Sequence, residues 1–257
     1  MQYLFGDTDI AAQRLKVLAE VFAESSRAFL LETDIGKPRL ALDLGCGPGY
    51  STHFLANLLQ CEQVAGLDNS EHFISLAQKT ETKKVSFYLH DVTTVPFPVG
   101  PSDFLYCRFL LTHLQQPLAA VGKWATQLKT RGLLMMEEVE SISTMKDVFT
   151  TYMGIVEAML ASQGKRLYIG PILNKMYDTD SLKRQTSRLR HLKVPTEHAA
   201  TLFYLNLQNW KHRPFVKTHY SEAAIRKLEE EIKSLAEEPS GRTEIEWGLR
   251  QVAYERM

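Results

Sequence analysis

Three glycines alternate with other residues in Leu40-Ala41-Leu42-Asp43-Leu44-Gly45-Cys46-Gly47-Pro48-Gly49, giving the pattern D-x-G-x-G-x-G from Asp43 to Gly49. Glycine lets a chain turn sharply and bring its backbone against a ligand with no Cβ in the way. The chemistry open to such a loop is the cradling of a nucleotide-like molecule outside the carboxyl end of a strand. Asp68 follows 23 positions after Gly45. A carboxylate there can accept hydrogen bonds from both hydroxyls of a ribose, and nucleotide-binding α/β folds keep an acid at this place. The alternative is a strand-end acid that caps the following helix. Asp91 closes the next β-like run and precedes Val92-Thr93-Thr94, which also suits a simple turn. The dinucleotide pattern G-x-G-x-x-G would set its last glycine where Tyr50 stands, so the spacing speaks against a nicotinamide cofactor.

These residues need a scaffold, and the surrounding sequence supplies one. Leu40–Leu44 suits a buried parallel strand, and Tyr50 to Ala56 is compatible with a helix. Gln63 to Asp68 and Val85 to Leu89 read as the second and third strands, with Asn69-Ser70 capping a helix from Glu71 to Ala77. Phe104 to Cys107 and Leu133 to Met136 read as the fourth and fifth. Between them Pro117 suits a first helical turn, and a helical pattern runs from Leu118 to Leu128. The alternation predicts an α/β fold, a Rossmann-like and mostly parallel sheet flanked by helices. Residues 10–32 read as an amphipathic helix, with Leu15, Leu18, Val21, Phe22 and Phe29 on one side. It is expected as a lid region (1–35) over the ligand cleft of a domain spanning 36–257. A helical insertion near 146–182 follows the fifth strand, its first helix (146–163) ending at Gly164. Arg188 to Val194 is expected as a strand, and Glu197 to Trp210 and Ser221 to Glu238 as helices. Glu244 to Arg256 closes a seven-stranded sheet whose last pair forms an antiparallel hairpin edge.

The D-x-G-x-G-x-G loop resembles motif I of the class I S-adenosylmethionine (SAM) dependent methyltransferases. The resemblance covers about residues 36–140. It extends to Tyr3-Leu4-Phe5-Gly6 and Gln13-Arg14-Leu15, which are similar to a bacterial small-molecule subgroup whose N-terminal segment folds over the cofactor. It implies SAM as cofactor, S-adenosylhomocysteine (SAH) as product, and no metal. By the same resemblance the backbone of Gly45, Cys46 and Gly47 runs alongside the methionine portion. Asp68 with Asn69 lies at the ribose, and Asp91 with Val92 at the adenine. Arg108 falls in a segment like the one whose strand-end carbonyl meets the methionine ammonium, and Tyr3 and Gln13 are expected at the cofactor through the N-terminal likeness.

Methyl transfer is an in-line displacement that alignment alone accelerates. A base is needed only when the nucleophile arrives protonated. His113 and Glu138 are the candidates, both near carboxyl ends of predicted strands. Imidazole titrates in the range such work requires, although His113 also suits packing of the short turn before Pro117. Glu137 and Glu138 are neighbours on a strand, so one is expected to face the cleft and the other the sheet surroundings. Tyr152, Tyr168 and His198 are further polar groups.

Composition narrows the acceptor. The chain has 257 residues and 30 basic against 30 acidic side chains, so no net field draws it to nucleic acid. No recognition domain or N-P-P-Y-type motif is visible, and a small molecule carrying an oxygen or nitrogen nucleophile is the expected acceptor. A tRNA or protein methyltransferase and a non-catalytic SAM-binding partner are the alternatives. The three cysteines show no metal or disulfide spacing. With no signal peptide and no stretch of ~18 uncharged apolar residues, a cytoplasmic protein without membrane contact is expected, its oligomeric state open.

Overall fold

The computed structural model describes residues 6–238 and 241–257. Tyr3 lies outside the described residues. Seven strands, β1 (Leu40–Leu44), β2 (Gln63–Asp68), β3 (Val85–Leu89), β4 (Ser102–Arg108), β5 (Leu128–Thr144), β6 (Leu182–Val194) and β7 (Ile245–Arg256), form one sheet in the order β3-β2-β1-β4-β5-β7-β6. The pairs from β3 through β5 are parallel, and β7 is antiparallel to both its neighbours. The chain steps outward from β1 through β2 to β3, then returns to β4 on the other side of β1. Their carboxyl ends therefore flank a switch point, where open α/β sheets bind ligands.

Alternation along each strand assigns its side chains to two cores. Leu42, Leu44, Leu105, Cys107, Leu134, Met136, Val252 and Tyr254 share one face with Val121 and Trp124 of α4 (Pro117–Ala125). Ala41, Phe104, Tyr106, Met135 and Ala253 share the other. There they meet Leu55 of α2 (Tyr50–Leu58), Ile74 of α3 (Glu71–Gln78), and Phe29 and Leu30 of α1 (Asp9–Leu31). Ser70 caps α3 through the Phe73 amide at 3.2 Å, and Thr8 caps α1 through the Ala11 amide.

A third core lies above the carboxyl end of the sheet. It joins α5 (Asp147–Ala161), α7 (Thr196–Trp210), α8 (Pro214–His219) and α9 (Glu222–Glu237) to Phe22 of α1 and to Trp247 and Leu249 of β7. The end of α5 hydrogen-bonds as a left-handed helix cap requires, from Gly164 N to Ala161 O and from Lys165 N to Leu160 O. Beyond it comes the short α6 (Gly170–Asn174).

Two sequence expectations change here. β6 and β7 pair antiparallel but form no hairpin, because α7, α8 and α9 occupy the connection between them. With α5 and α6 of the insertion near 146–182, these helices complete the cap. The β5 strand begins at Leu128, because α4 closes with tight bonds from Thr126 N to Lys123 O and Gln127 N to Trp124 O. Its far end runs past the sheet core to Thr144 alongside β7, through a bulge at Glu140. Among the described residues no helix is long and apolar enough to cross a membrane.

Candidate functional site

The glycine loop is tied down from both sides. Gly45 N and Cys46 N donate to Leu67 O at 2.8 and 3.1 Å, joining the end of β1 to that of β2. Gly45 has φ +70, and a Cβ there would stand 2.7 Å from Leu110 Cδ1. Gly49 has φ +91, and its Cβ would meet the Phe87 ring at 2.6 Å. Only glycine fits either position. Asp43 is 1% exposed and accepts from Ser51 Oγ (2.6 Å) and Thr52 Oγ1 (2.7 Å), anchoring the first turn of α2. Burial lifts its carboxyl to about 6 against the pull of those hydroxyls and of Arg108. Asp43 thus orders the loop from beneath it.

Asp68 connects the loop to the next turn. Its Oδ2 accepts from Gly47 N and its Oδ1 from Ser70 N, both at 2.9 Å. Burial raises its carboxyl, opposed by the Ser70, Gly47 and Asn69 amides. Each carboxylate oxygen can accept about two bonds, so these leave capacity for a diol. Asp91 lies across the same cleft, its Oδ1 accepting from Thr93 N (2.8 Å) and Oγ1 (2.7 Å). Partial burial pulls this carboxyl up, but the Thr93 bonds outweigh it and hold it below the usual range. Trp124 Nε1 donates to Val92 O at 2.8 Å and fixes that segment.

These groups border one cleft of ≈ 360 Å³, the size of a small-molecule site. Gly45, Gly47, Asp68, Asn69, Asp91, Val92 and Arg108 all line it. Arg108 Nη1 donates to Ser26 Oγ of α1 at 2.9 Å, so it ties α1 to the end of β4. Cys46 is the exception within the loop. Its thiol turns under the loop toward Gly66 and Thr52, and burial together with Asp68 and Asp43 pushes it far up, leaving an inert thiol. Gln13 is exposed and does not line the cleft, whereas Arg14, Leu15 and Leu18 do. One residue along a helix turns the side chain by about 100°, and the apolar phase of Leu15 and Leu18 selects Arg14 as their neighbour.

A chamber of ≈ 90 Å³ adjoins the cleft, and Arg14, Leu18, Phe109 and His113 border both. His113 sits in a 3-10 turn (Leu111–His113) after β4. Burial, then Arg14 and Lys165, push its imidazole down to about 3, so it is neutral near pH 7. Glu138 lines the chamber, fully buried, with Oε1 accepting from the amides of Leu110 (2.8 Å) and Leu111 (2.7 Å). Burial lifts its carboxyl to about 8. Glu137 points the other way, to Tyr106 OH and Gln251 Nε2, each at 2.6 Å.

Tyr152 also lines the chamber, its OH accepting from Asn206 Nδ2 at 2.6 Å. Tyr168 is half-buried and reaches Met153 Sδ, and His198 is exposed away from both spaces. Sequence reasoning missed Arg14, Phe109, Phe203, Asn206 and Trp247. The helical phase of α1 could have found Arg14. The others come from distant segments with no local pattern.

Residues 42–136 match the methyltransferase domain family. That segment, which holds the glycine loop, Asp68 and Asp91, is therefore similar to methyltransferase domains. A trans-aconitate 2-methyltransferase of Methylobacterium radiotolerans is 29% identical over 114 residues, 44% of this chain and 43% of that protein. The chain spans less than half the length of the first curated relatives it matches. A candidate methyltransferase of Bacillus halodurans superposes with TM-score 0.58 at 16% identity, covering 90% of this chain and 98% of that one. The [4+2]-cyclase SpnF superposes with TM-score 0.57 at 16% identity, over 91% of this chain and 80% of that one. This class I fold therefore supports more than one reaction.

Proposed function

We propose that the protein is a SAM-dependent methyltransferase acting on an oxygen or nitrogen of a small molecule. The observation that carries the reading is a single cleft that gathers the glycine loop, Asp68 and Asp91 and opens directly onto a buried chamber. The residues present suit the cofactor: Asp68 would hold the ribose, Asp91 and Val92 the adenine, and the Gly45–Gly47 backbone with Arg108 the methionine end. When bound, the cofactor supplies a methyl group on a positively charged sulfur. The chain's part is then to align the acceptor and exclude water. Leu15 and Leu18 of α1 cover the cleft, and α5 and α7 wall the chamber. Among its described lining residues the chamber holds one cation, Arg14, and one carboxyl, Glu138, which burial favours as the neutral acid. That is a poor match to a polyanion such as the trans-aconitate named for the relatives.

Calorimetry with SAM, SAH and NAD tests the cofactor, with binding of SAM and SAH expected. Binding of NAD alone would overturn the reading. A metabolite extract incubated with methyl-labelled SAM, followed by mass spectrometry, tests the acceptor class. Label confined to tRNA, rRNA or protein would refute a small molecule, and tight SAM binding with no label would favour a non-catalytic partner.

A further inference from the structure

Two residues that line the chamber each carry a buried oxygen, Glu138 Oε2 and Asn206 Oδ1, with no hydrogen-bond partner. Glu138 is 0% exposed and Asn206 4%. Each residue is fixed through its other polar atom, Glu138 by the Leu110 and Leu111 amides and Asn206 by Tyr152 OH. A buried acceptor left unpaired is costly, because it has given up water and gained no partner. Both residues line the same chamber, so a ligand there that brings hydrogen-bond donors can satisfy them.

The walls around these oxygens are aromatic. Phe22 meets Phe109 and Trp247 edge-on with centroids 5.0 and 5.8 Å apart, and Tyr152 stacks on Phe203 at 4.2 Å. Ring faces attract cations, more so when water is excluded. Lys165 lines the cleft but not the chamber, His113 is neutral, and Arg14 stands where the two spaces meet. Away from that neck, the chamber thus offers aromatic rings, an amide oxygen and a carboxyl.

Building on the methyltransferase reading, we propose that the acceptor is a compact apolar amine that enters as its ammonium and passes a proton to Glu138. The ammonium donates to Glu138 Oε2 and Asn206 Oδ1. One N–H bond breaks with its electron pair remaining on nitrogen, and the proton goes to the Glu138 carboxylate. A neutral amine with a free lone pair and a neutral carboxylic acid result. Without a ligand, burial holds the Glu138 carboxyl up at about 8, and a cation at hydrogen-bond distance favours its ionised form. An alcohol brings one donor to the two oxygens. A carboxylate brings no donor to either oxygen. The chamber is small, ≈ 90 Å³, and adjoins the cleft at Arg14, Leu18, Phe109 and His113, so its occupant is a compact ring or branched alkyl group that extends toward that neck.

Fluorescence of Trp247 in the chamber wall reports binding of piperidine, cyclohexanol and cyclohexanecarboxylate, three six-membered rings that differ in charge. Titrations use the full chain at pH 8, without cofactor and with saturating SAH. Piperidine is expected to bind at least about tenfold more tightly than either competitor. Glu138→Gln should lower piperidine affinity about tenfold and cyclohexanol affinity less than about threefold. Phe203→Leu keeps the carboxyl, removes one ring, and should weaken piperidine by about threefold or more. A smaller preference for piperidine, or a folded Glu138→Gln protein that binds it like the parent, overturns the proposal. If Glu138→Gln does not fold, the ranking of the three ligands and the Phe203→Leu result decide. SAH binding is scored separately by calorimetry. Its failure alongside an intact amine preference removes the methyltransferase reading, and the converse removes only the amine.

Discussion

Asp68 spends one hydrogen bond from each carboxylate oxygen on the backbone, holding Gly47 and Ser70 in place before any ligand arrives. Asp68→Ala is expected to weaken SAH binding by roughly 1–3 kcal/mol, measured by calorimetry, because it removes a buried charged acceptor. Glu138 makes a pH prediction. Its folded carboxyl is raised from 4.5 to about 8, so its contribution to stability is full below about 4.5 and is lost as pH rises through about 8. Glu138→Gln removes that titration. Urea unfolding from pH 4 to 9 should therefore show the variant gaining stability relative to the parent as pH rises, with a plateau above about 8. A difference independent of pH would contradict the buried acid. The positions of Asp68 and Asp91 in the cleft were legible in the sequence, because one closes β2 and the other follows β3 by two residues, each before a turn. The chamber residues were not, since Phe109, Asn206 and Trp247 meet only in three dimensions.

The bulge at Glu140 is held by a bidentate pair. Arg250 Nε and Nη2 donate to Glu140 Oε2 and Oε1 at 2.5 and 2.6 Å, with side-chain exposures of 8% and 18%. Gly170 packs against the same residue, and a Cβ there would lie 2.6 Å from Glu140 Cβ. Arg250→Ala leaves a carboxylate buried without its partner and is expected to cost about 3–5 kcal/mol in urea unfolding. The Arg250→Met, Glu140→Gln double variant should recover most of that loss, because no lone charge remains. β1, β2 and β3 were legible to the residue, since each is short, apolar and bounded by glycine or a capping residue. The length of β5 was not. Its last stretch, Glu140 to Thr144, has no apolar run and is a strand only because β7 pairs with it.

At the scale of the whole molecule, α1 belongs to two places at once. Its first half lines the cleft with Arg14, Leu15 and Leu18, and its second half buries Phe29 and Leu30 against the sheet. Ligand in the cleft is therefore expected to slow hydrogen exchange in residues 9–18 much more than in 25–31, which the core already protects. Mass-spectrometric exchange with and without SAH checks this. Equal protection of both halves would show that α1 answers as one rigid body.

The reversed strand β7 sets an order for the chain's assembly. Residues 245–256 lie between β5 and β6, and every hydrogen-bonded neighbour of β6 in the sheet belongs to them. A nascent chain can assemble β1 to β5 in sequence order as it leaves the ribosome. β6 has nothing to pair with until residues 245–256 have also been made. Until then it is an unpaired edge rich in Lys and Arg (Lys183, Arg184, Arg188, Arg190 and Lys193), charges that keep such an edge from pairing with another chain. A chain ending at residue 244 should accordingly keep the five-strand nucleus while β6 and the helices after it stay protease-sensitive, which limited proteolysis of that truncation would reveal.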